Sequence, residues 1–183
     1  MRAFLACLPP PDCLAALQAW QAGLQECAGG KPLPAAQLHL TLAFLGEATP
    51  LQLQSAADCA ERAAESLPAA LVLDACGSWR DLGWCGPRCP PDDLNRWAER
   101  LRADLRAAGV ATDGRPYRPH VTLLRGLARP LPARRLPPLV WPLEEVVLLA
   151  SELRAAGACY RRLDGWRRPD ARPGVAGAIA RRE

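Results

Sequence analysis

The order of apolar and polar positions along the chain predicts strands alternating with helices. Apolar residues recur at helical spacing in three stretches: from Pro9 to a stop at Gly29, from Thr49 to about Ser66, and from Leu94 to Gly109. Shorter apolar or alternating runs predict strands over residues 2–8, 71–75, 82–85, 117–124, 145–149 and 159–163, and another that ends at Leu45. Residues 131–142 carry too much proline for regular structure, and residues 151–157 form a turn. The order indicates an α+β fold.

Two of these strands begin with the same four-residue pattern, His39-Leu-Thr-Leu42 and His120-Val-Thr-Leu123. Side chains alternate between the two faces of a strand, so each histidine shares a face with the threonine two positions later. The apolar residues between them point to the other face, where they can anchor the strand in a core. Each tetrad therefore presents an imidazole beside a hydroxyl.

The repetition is difficult to ascribe to chance. The chain has two histidines and four threonines, so both histidines have a threonine two positions on in about one of two thousand random arrangements. A single strand histidine is more often a packed or solvent-facing residue. The pair predicts a shared site, and the order of elements predicts two similar lobes, related by a pseudo-twofold axis, whose antiparallel sheets flank a central cleft with helices outside.

Composition narrows the class of protein. At 183 residues the chain is long enough for a substantial core. Its net charge is +4, and this positive charge permits an RNA partner without requiring one. Lys31 is the one lysine in the chain. The eight cysteines include no C-x-x-C pair, and neither histidine has carboxylates at ligand spacing, so we expect no metal site and no cofactor. No run is apolar enough to span a bilayer, and we expect a cytoplasmic protein with reduced thiols.

Paired imidazoles and hydroxyls suit in-line displacement at phosphorus. One imidazole can take a proton from the attacking water while the other protonates the departing oxygen, and neither step needs a metal. Threonine hydroxyls can donate hydrogen bonds to the non-bridging oxygens, where negative charge accumulates. The pattern does not decide which histidine is the acid. A serine hydrolase is disfavoured, because no nucleophile motif such as G-x-S-x-G is present.

The motifs H-L-T-L-x-F-L-G (39–46) and R-P-H-V-T-L-x-R (118–125) resemble the paired signature of the 2H phosphoesterase superfamily, and within it the bacterial and archaeal RNA 2′,3′-cyclic phosphodiesterases, also called 2′-5′ RNA ligase-like proteins. The resemblance covers residues 1–164 as one two-lobed domain and leaves 165–183 as a mobile tail. It implies metal-independent hydrolysis of RNA 2′,3′-cyclic phosphate ends, such as those of tRNA fragments, to 2′-phosphomonoesters. It makes His39 the proton donor and His120 the proton acceptor, with Thr41 and Thr122 as phosphate contacts.

Several residues around the tetrads extend or qualify this resemblance. Arg125 and Arg118 are candidate substrate contacts, with solvated strand-end charges as the alternative. Position 43, where relatives usually carry arginine, is Ala43, and loss of a cation near the cleft would weaken binding of the RNA backbone or narrow the substrate range. Trp79 and Trp84, in a predicted connection, are candidates for base stacking.

Two other functions stay open at this point. One is an RNA-end or nucleotide-binding module with little turnover, which Ala43 alone supports. The other is ATP-independent 2′-5′ RNA ligation, the formal reverse of the hydrolysis. A monomer is expected, because no coiled-coil or exposed apolar stripe is evident.

Overall fold

A computed structural model describes residues 1–154 and 157–171 and has two antiparallel β-sheets. The first sheet has the order β3-β1-β8-β9, and the second has the order β2-β6-β5-β4-β7. In chain order the strands are β1 (Arg2–Cys7), β2 (Lys31–Pro32), β3 (Leu40–Glu47), β4 (Ala70–Trp79), β5 (Leu82–Gly86), β6 (Val121–Arg125), β7 (Arg134–Pro142), β8 (Glu145–Arg154) and β9 (Gly157–Arg167). The predicted α+β fold with two antiparallel sheets is confirmed.

Three α-helices cover the sheets, and two of them cross between the two lobes. They are α1 (Pro11–Ala28), α2 (Pro50–Ala64) and α3 (Asp92–Ala107), and a short 3₁₀-helix spans Ala35–Gln37. Helix α1 leaves the first sheet and packs on the second, against β2, β6 and β7. Helix α3 does the reverse, because it follows β5 of the second sheet and packs against β3 of the first. The lobes are therefore interleaved rather than consecutive.

The strand pairs that hold the two tetrads correspond to each other. Strand β1 pairs with β3, and β5 pairs with β6. Cys7 lies opposite Leu40 in the first pair, and Cys85 lies opposite Val121 in the second. This correspondence is the predicted pseudo-twofold relation between the lobes.

One apolar core joins both sheets and all three helices. It contains Leu5, Leu17, Leu40 and Leu123, each of which is completely buried. A smaller cluster of buried residues lies on the opposite face of the first sheet, with Tyr160 packed against it: Phe4, Ala6, Val147 and Leu149. The core fixes the backs of the tetrad strands and leaves their other faces to the site.

The predicted elements hold in most of the chain. Helix α2 begins with the expected capping box: Gln52 N donates to Thr49 Oγ1 at 3.2 Å, and Thr49 N donates to Gln52 Oε1 at 3.0 Å. The prediction for residues 131–142 is wrong, because Arg134–Pro142 forms strand β7. This strand lies at the edge of the second sheet, where proline is tolerated since one side needs no ladder donor.

The last two strands are longer than predicted. Strands β8 and β9 pair from Glu145 opposite Arg167 to Arg154 opposite Gly157, with one register shift after Leu148, so the predicted turn over 151–157 is mostly strand. Residues 172–183, in the predicted tail, lie outside the described residues. No helix within 1–154 and 157–171 is long and apolar enough to cross a membrane.

Candidate active site

Each histidine lies immediately before the first residue of its strand. Strand β3 begins at Leu40 and β6 begins at Val121, and both of these residues are fully buried. Thr41 and Thr122, the next residues, are partly exposed. The predicted alternation therefore holds at both tetrads, with apolar side chains in the core and threonines on the open face.

The two imidazoles are oriented by the same backbone contact. Nδ1 of His39 is 2.6 Å from the carbonyl oxygen of Gln37, and Nδ1 of His120 is 2.7 Å from that of Arg118. A carbonyl only accepts hydrogen bonds, so Nδ1 carries the proton in both rings. In the neutral tautomer this leaves Nε2 as the acceptor. One Nε2 can take a proton, and the other can give one once its ring is charged.

A β-bulge at the last residue of each tetrad changes which side chains face outward. In β3, Thr41 pairs with Ala6 but Ala43 pairs with Leu5, so Leu42 has no partner. In β6, Leu123 is the unpaired residue. An extra residue reverses the alternation beyond it.

The bulge in β3 corrects the expectation for Ala43. Simple alternation places position 43 on the face of Thr41, whereas Ala43 is completely buried in the core. Phe44 takes the outward position instead and is 48% exposed. An alanine here therefore removes no cation from the open face. Arg125, like Phe44, is the fifth residue after its histidine, and it takes the outward position after the second bulge.

The two tetrads line a single cleft of about 790 Å³, which brings together five predicted site residues from both sheets: His39, Thr41, His120, Thr122 and Arg125. The sixth, Arg118, is exposed, and its side chain is not among the described residues that line the cleft. Its carbonyl contributes instead, by holding His120.

The cleft wall is strongly basic. Besides Arg125, it carries Arg2, Lys31 and Arg115, with one acidic residue, Asp113, among the described lining residues. Asp113 forms a salt bridge with Arg115, and this guanidinium lowers the pKa of the carboxyl group. Lys31 and Arg125 lie opposite each other on β2 and β6. A wall with surplus arginine and lysine suits a phosphate-containing ligand.

Each imidazole packs against aromatic rings. The ring of His39 lies 4.9 Å from that of Phe4 and 5.3 Å from that of Tyr160, between centroids. The ring of His120 lies edge-on to Trp79 at 4.7 Å, and Trp79 stacks on Trp84 at 4.9 Å. The two tryptophans lie in strands rather than in a loop, and neither is among the described residues that line the cleft.

Burial lowers the pKa of both imidazoles below the ordinary value. For His39, desolvation is the largest cause; the contact with Gln37 opposes it, and the charges of His120 and Arg125 add to it. For His120, desolvation again dominates, the contact with Arg118 opposes it, and Arg115 adds to it. Both rings are therefore biased toward the neutral form until an anion enters the cleft.

Sequence reasoning missed several cleft residues: Arg2, Phe4, Lys31, Phe44, Arg115 and Tyr160. Lys31 carried a weak signal as the one lysine, eight positions before His39. Tyr160 gave none, because its place depends on the long β8–β9 hairpin. All eight cysteines are free thiols, and residues 1–154 and 157–171 contain no group of three or more His, Cys, Asp or Glu able to hold a metal ion.

Comparison with known proteins agrees with this geometry. The family described as LigT like Phosphoesterase matches residues 8–83 and 85–160, which together make up most of the chain. The first range contains one tetrad and the second contains the other. This chain belongs to the LigT-like phosphoesterase family.

Two curated relatives in this family carry the name RNA 2′,3′-cyclic phosphodiesterase. The protein of Thermus thermophilus is 34% identical, covering 90% of this chain and 88% of the relative. The protein of Escherichia coli is 32% identical, covering 90% and 95%. A crystal structure of E. coli LigT complexed with 3′-AMP superimposes with a TM-score of 0.78 at 30% identity, covering 92% of this chain and 98% of that one. The family and fold expected from the motifs are confirmed.

Proposed function

We propose that this LigT-like phosphoesterase hydrolyses the 2′,3′-cyclic phosphate at the end of an RNA to a 2′-phosphomonoester. The observation that carries the proposal is the pair of histidines on one basic cleft, each with Nδ1 directed at a carbonyl and Nε2 left for proton transfer. The names of the two curated relatives support the same reaction. The supporting geometry lies entirely within this chain.

Hydrolysis proceeds by in-line displacement at phosphorus. Nε2 of His120 accepts a proton from water as the water oxygen bonds to phosphorus, and the bond from phosphorus to the 3′ oxygen breaks. Nε2 of His39 donates its proton to that departing oxygen. The reaction leaves His120 protonated and His39 neutral, and exchange with solvent restores the starting forms.

The remaining site residues stabilise the phosphate. The hydroxyls of Thr41 and Thr122 donate hydrogen bonds to the non-bridging oxygens, one from each lobe. Arg125 neutralises the phosphate charge from the wall of the second sheet. Arg118 acts through its carbonyl, which sets the tautomer of His120. None of these steps uses a metal.

The biological setting follows from this substrate. The partner is RNA that ends in a 2′,3′-cyclic phosphate, such as a tRNA fragment, and the protein acts as a cytoplasmic monomer. The catalytic domain extends through β9 to Arg167, three residues beyond the predicted end at 164.

The deciding experiment uses an RNA oligonucleotide with a 2′,3′-cyclic phosphate end, in buffer containing EDTA. Wild type is compared with His39→Ala and His120→Ala, and the position of the phosphate in the product is determined. We expect a 2′-phosphate product and a loss of more than about a hundredfold in kcat for each variant. The matched control is Gln54→Ala, on the exposed side of α2.

Two outcomes of this experiment would contradict the proposed hydrolysis and favour another function. Wild type that binds this RNA without turnover would contradict hydrolysis and favour the binding module, although burial of Ala43 removes the observation that first suggested it. Joining of two RNA ends in the same assay, without ATP, would favour ligation.

A further inference from the structure

Within residues 1–154 and 157–171, two polar side chains are buried in the interior. Gln21 is 6% exposed and Arg102 is 7% exposed. They lie on α1 and α3, the two helices that cross from one lobe to the other. A buried amide or guanidinium is costly unless it is hydrogen-bonded, so the partners of these two side chains are informative.

Each side chain donates to two backbone carbonyls. Nε2 of Gln21 donates to the carbonyl oxygen of Leu33 at 2.9 Å and to that of Leu123 at 2.7 Å. Nε of Arg102 donates to the carbonyl oxygen of Leu42 at 3.1 Å, and its Nη1 donates to that of Arg115 at 3.0 Å. The two patterns correspond under the pseudo-twofold relation.

One of the two carbonyls that each side chain contacts belongs to a bulge. Leu42 and Leu123 are the residues without partners on β1 and β5, and both are fully buried. A bulged residue disrupts the ladder, and a buried carbonyl needs a donor from elsewhere. Leu33 N supplies one donor to Leu123 at 3.0 Å, and Gln21 supplies a second. Arg102 donates a hydrogen bond to the carbonyl oxygen of Leu42 from inside the core.

The other carbonyl that each side chain contacts precedes the histidine of the opposite tetrad in the chain. Leu33 precedes His39 by six residues, and Arg115 precedes His120 by five. Gln21 thus joins the second bulge to the approach of the first histidine. Arg102 joins the first bulge to the approach of the second histidine.

We infer that Gln21 and Arg102 are positioning residues that hold the two bulges and fix the two tetrads relative to each other across the cleft. The inference rests on the proposed function, since the distance between acid and base matters for in-line displacement. Each bulge comes directly after Thr41 or Thr122, so losing either link displaces a hydroxyl as well as an imidazole.

Variants without the donors test this inference. Gln21→Met keeps the length of the side chain and removes its donors, whereas Arg102→Met removes the donors and ends at the position of Nε. Because small displacements of acid–base groups are costly, we expect each to lower kcat by about tenfold, measured well below Tm. A second readout is the pH titration of the two imidazoles by NMR in the free protein, which we expect to change in both variants. Assignment is simple because the chain has two histidines.

Two controls separate positioning from stability. Gln25→Met removes a donor from the same helix, where Gln25 Nε2 bonds the exposed carbonyl of Gly30 at 3.1 Å, and should leave kcat and Tm unchanged. Trp97→Phe removes the bond from buried Trp97 Nε1 to Ala63, 3.0 Å long, which touches neither tetrad. It should lower Tm without changing kcat.

Gln21→Met keeps the test decisive if Arg102→Met does not fold, because it removes a neutral amide, whereas Arg102→Met removes a cation paired with Glu99. A lower Tm with unchanged kcat and unchanged imidazole titrations would overturn the inference and leave a structural role alone. Wild type without hydrolysis would overturn the proposed function, and the titrations would still decide whether the links orient the histidines.

Discussion

The two tetrads share a backbone and differ in what surrounds it. In both, Nδ1 of the histidine contacts the carbonyl two residues earlier, and a bulge follows the threonine. The side chains around them have diverged: His39 packs against Phe4 and Tyr160, whereas His120 packs against Trp79. The same backbone arrangement therefore occurs in both lobes and holds two imidazoles in different side-chain environments.

The position five residues after each histidine shows the same divergence. Phe44 faces the cleft from the first sheet, and Arg125 faces it from the second. Burial is the main cause of the lowered pKa of both imidazoles, to which Arg125 adds at His39 and Arg115 adds at His120. The lobes therefore differ in the side chain at this position and in the arginine that acts on each imidazole.

The largest expected effect tests that division directly. A substrate whose 3′ bridging oxygen is replaced by sulfur has a leaving group that needs little protonation. We expect His39→Ala to lose more than about a hundredfold in kcat on the oxygen substrate and less than about tenfold on the sulfur substrate. His120→Ala should lose more than about a hundredfold on both, because water still needs a base. Single-turnover rates provide the measurement.

The opposite pattern would reverse the roles of the two histidines. If sulfur rescued His120→Ala and not His39→Ala, the lobe with Trp79 would hold the acid. Equal losses on both substrates would contradict proton donation to the 3′ oxygen by either imidazole.

The threonines should show a somewhat smaller effect. Thr41→Val and Thr122→Val preserve shape and remove the hydroxyl, so each removes one donor to the charge that develops on phosphate. We expect a loss of about a hundredfold in kcat with little change in KM. Thr→Ser at the same positions keeps the hydroxyl and should stay within a few-fold of wild type. A loss confined to KM would contradict transition-state stabilisation.

The aromatic neighbours should matter less than the donors. Trp79→Leu removes the ring that contacts His120 and admits water, so the pKa of His120 should rise toward its ordinary value while that of His39 stays unchanged. We expect kcat to fall about tenfold, because the imidazole is less well oriented. NMR titration gives the pKa values. Trp20→Leu, a half-buried tryptophan on α1, is the matched control.

Much of this site could be read from the sequence because its signals are local. Alternation along a strand places His39 beside Thr41 and His120 beside Thr122, and the capping box at Thr49 marks the start of α2. A bulge has no comparable signal in one sequence, since it arises from pairing with another strand. The sequence therefore predicts that position 43 lies near the cleft, whereas Ala43 is buried and Phe44, which sequence reasoning missed, faces outward.

The other omissions are also long-range. Strand β7 was missed because proline usually excludes a strand, and its edge position became visible only with the sheet order. Tyr160 reaches His39 through a hairpin pairing, and Gln21 reaches Leu123 across 102 residues of sequence. Helical spacing could place Gln21 on the inner face of α1 but could not supply its partners.

The smallest expected effect concerns pH. The reactive form holds one proton on the histidine pair, and this form dominates between the two apparent pKa values of the pair. Burial lowers the pKa of both imidazoles, so the optimum of kcat/KM, which reports the free enzyme, should lie on the acid side of 6.5, the ordinary pKa of histidine. Bound phosphate favours imidazolium, so the optimum of kcat should lie at higher pH.

A single variant makes this pH prediction sharper. Arg125 lowers the pKa of His39, so Arg125→Gln should raise that pKa and move the basic limb of the kcat/KM profile to higher pH. The stability of wild type should change in the same region: a pKa lowered by folding means that stability is complete above about pH 6.5 and is lost as the pH falls through the folded-state values. An optimum of kcat/KM above pH 7, or a basic limb that Arg125→Gln leaves in place, would contradict an acid–base pair made of these two histidines.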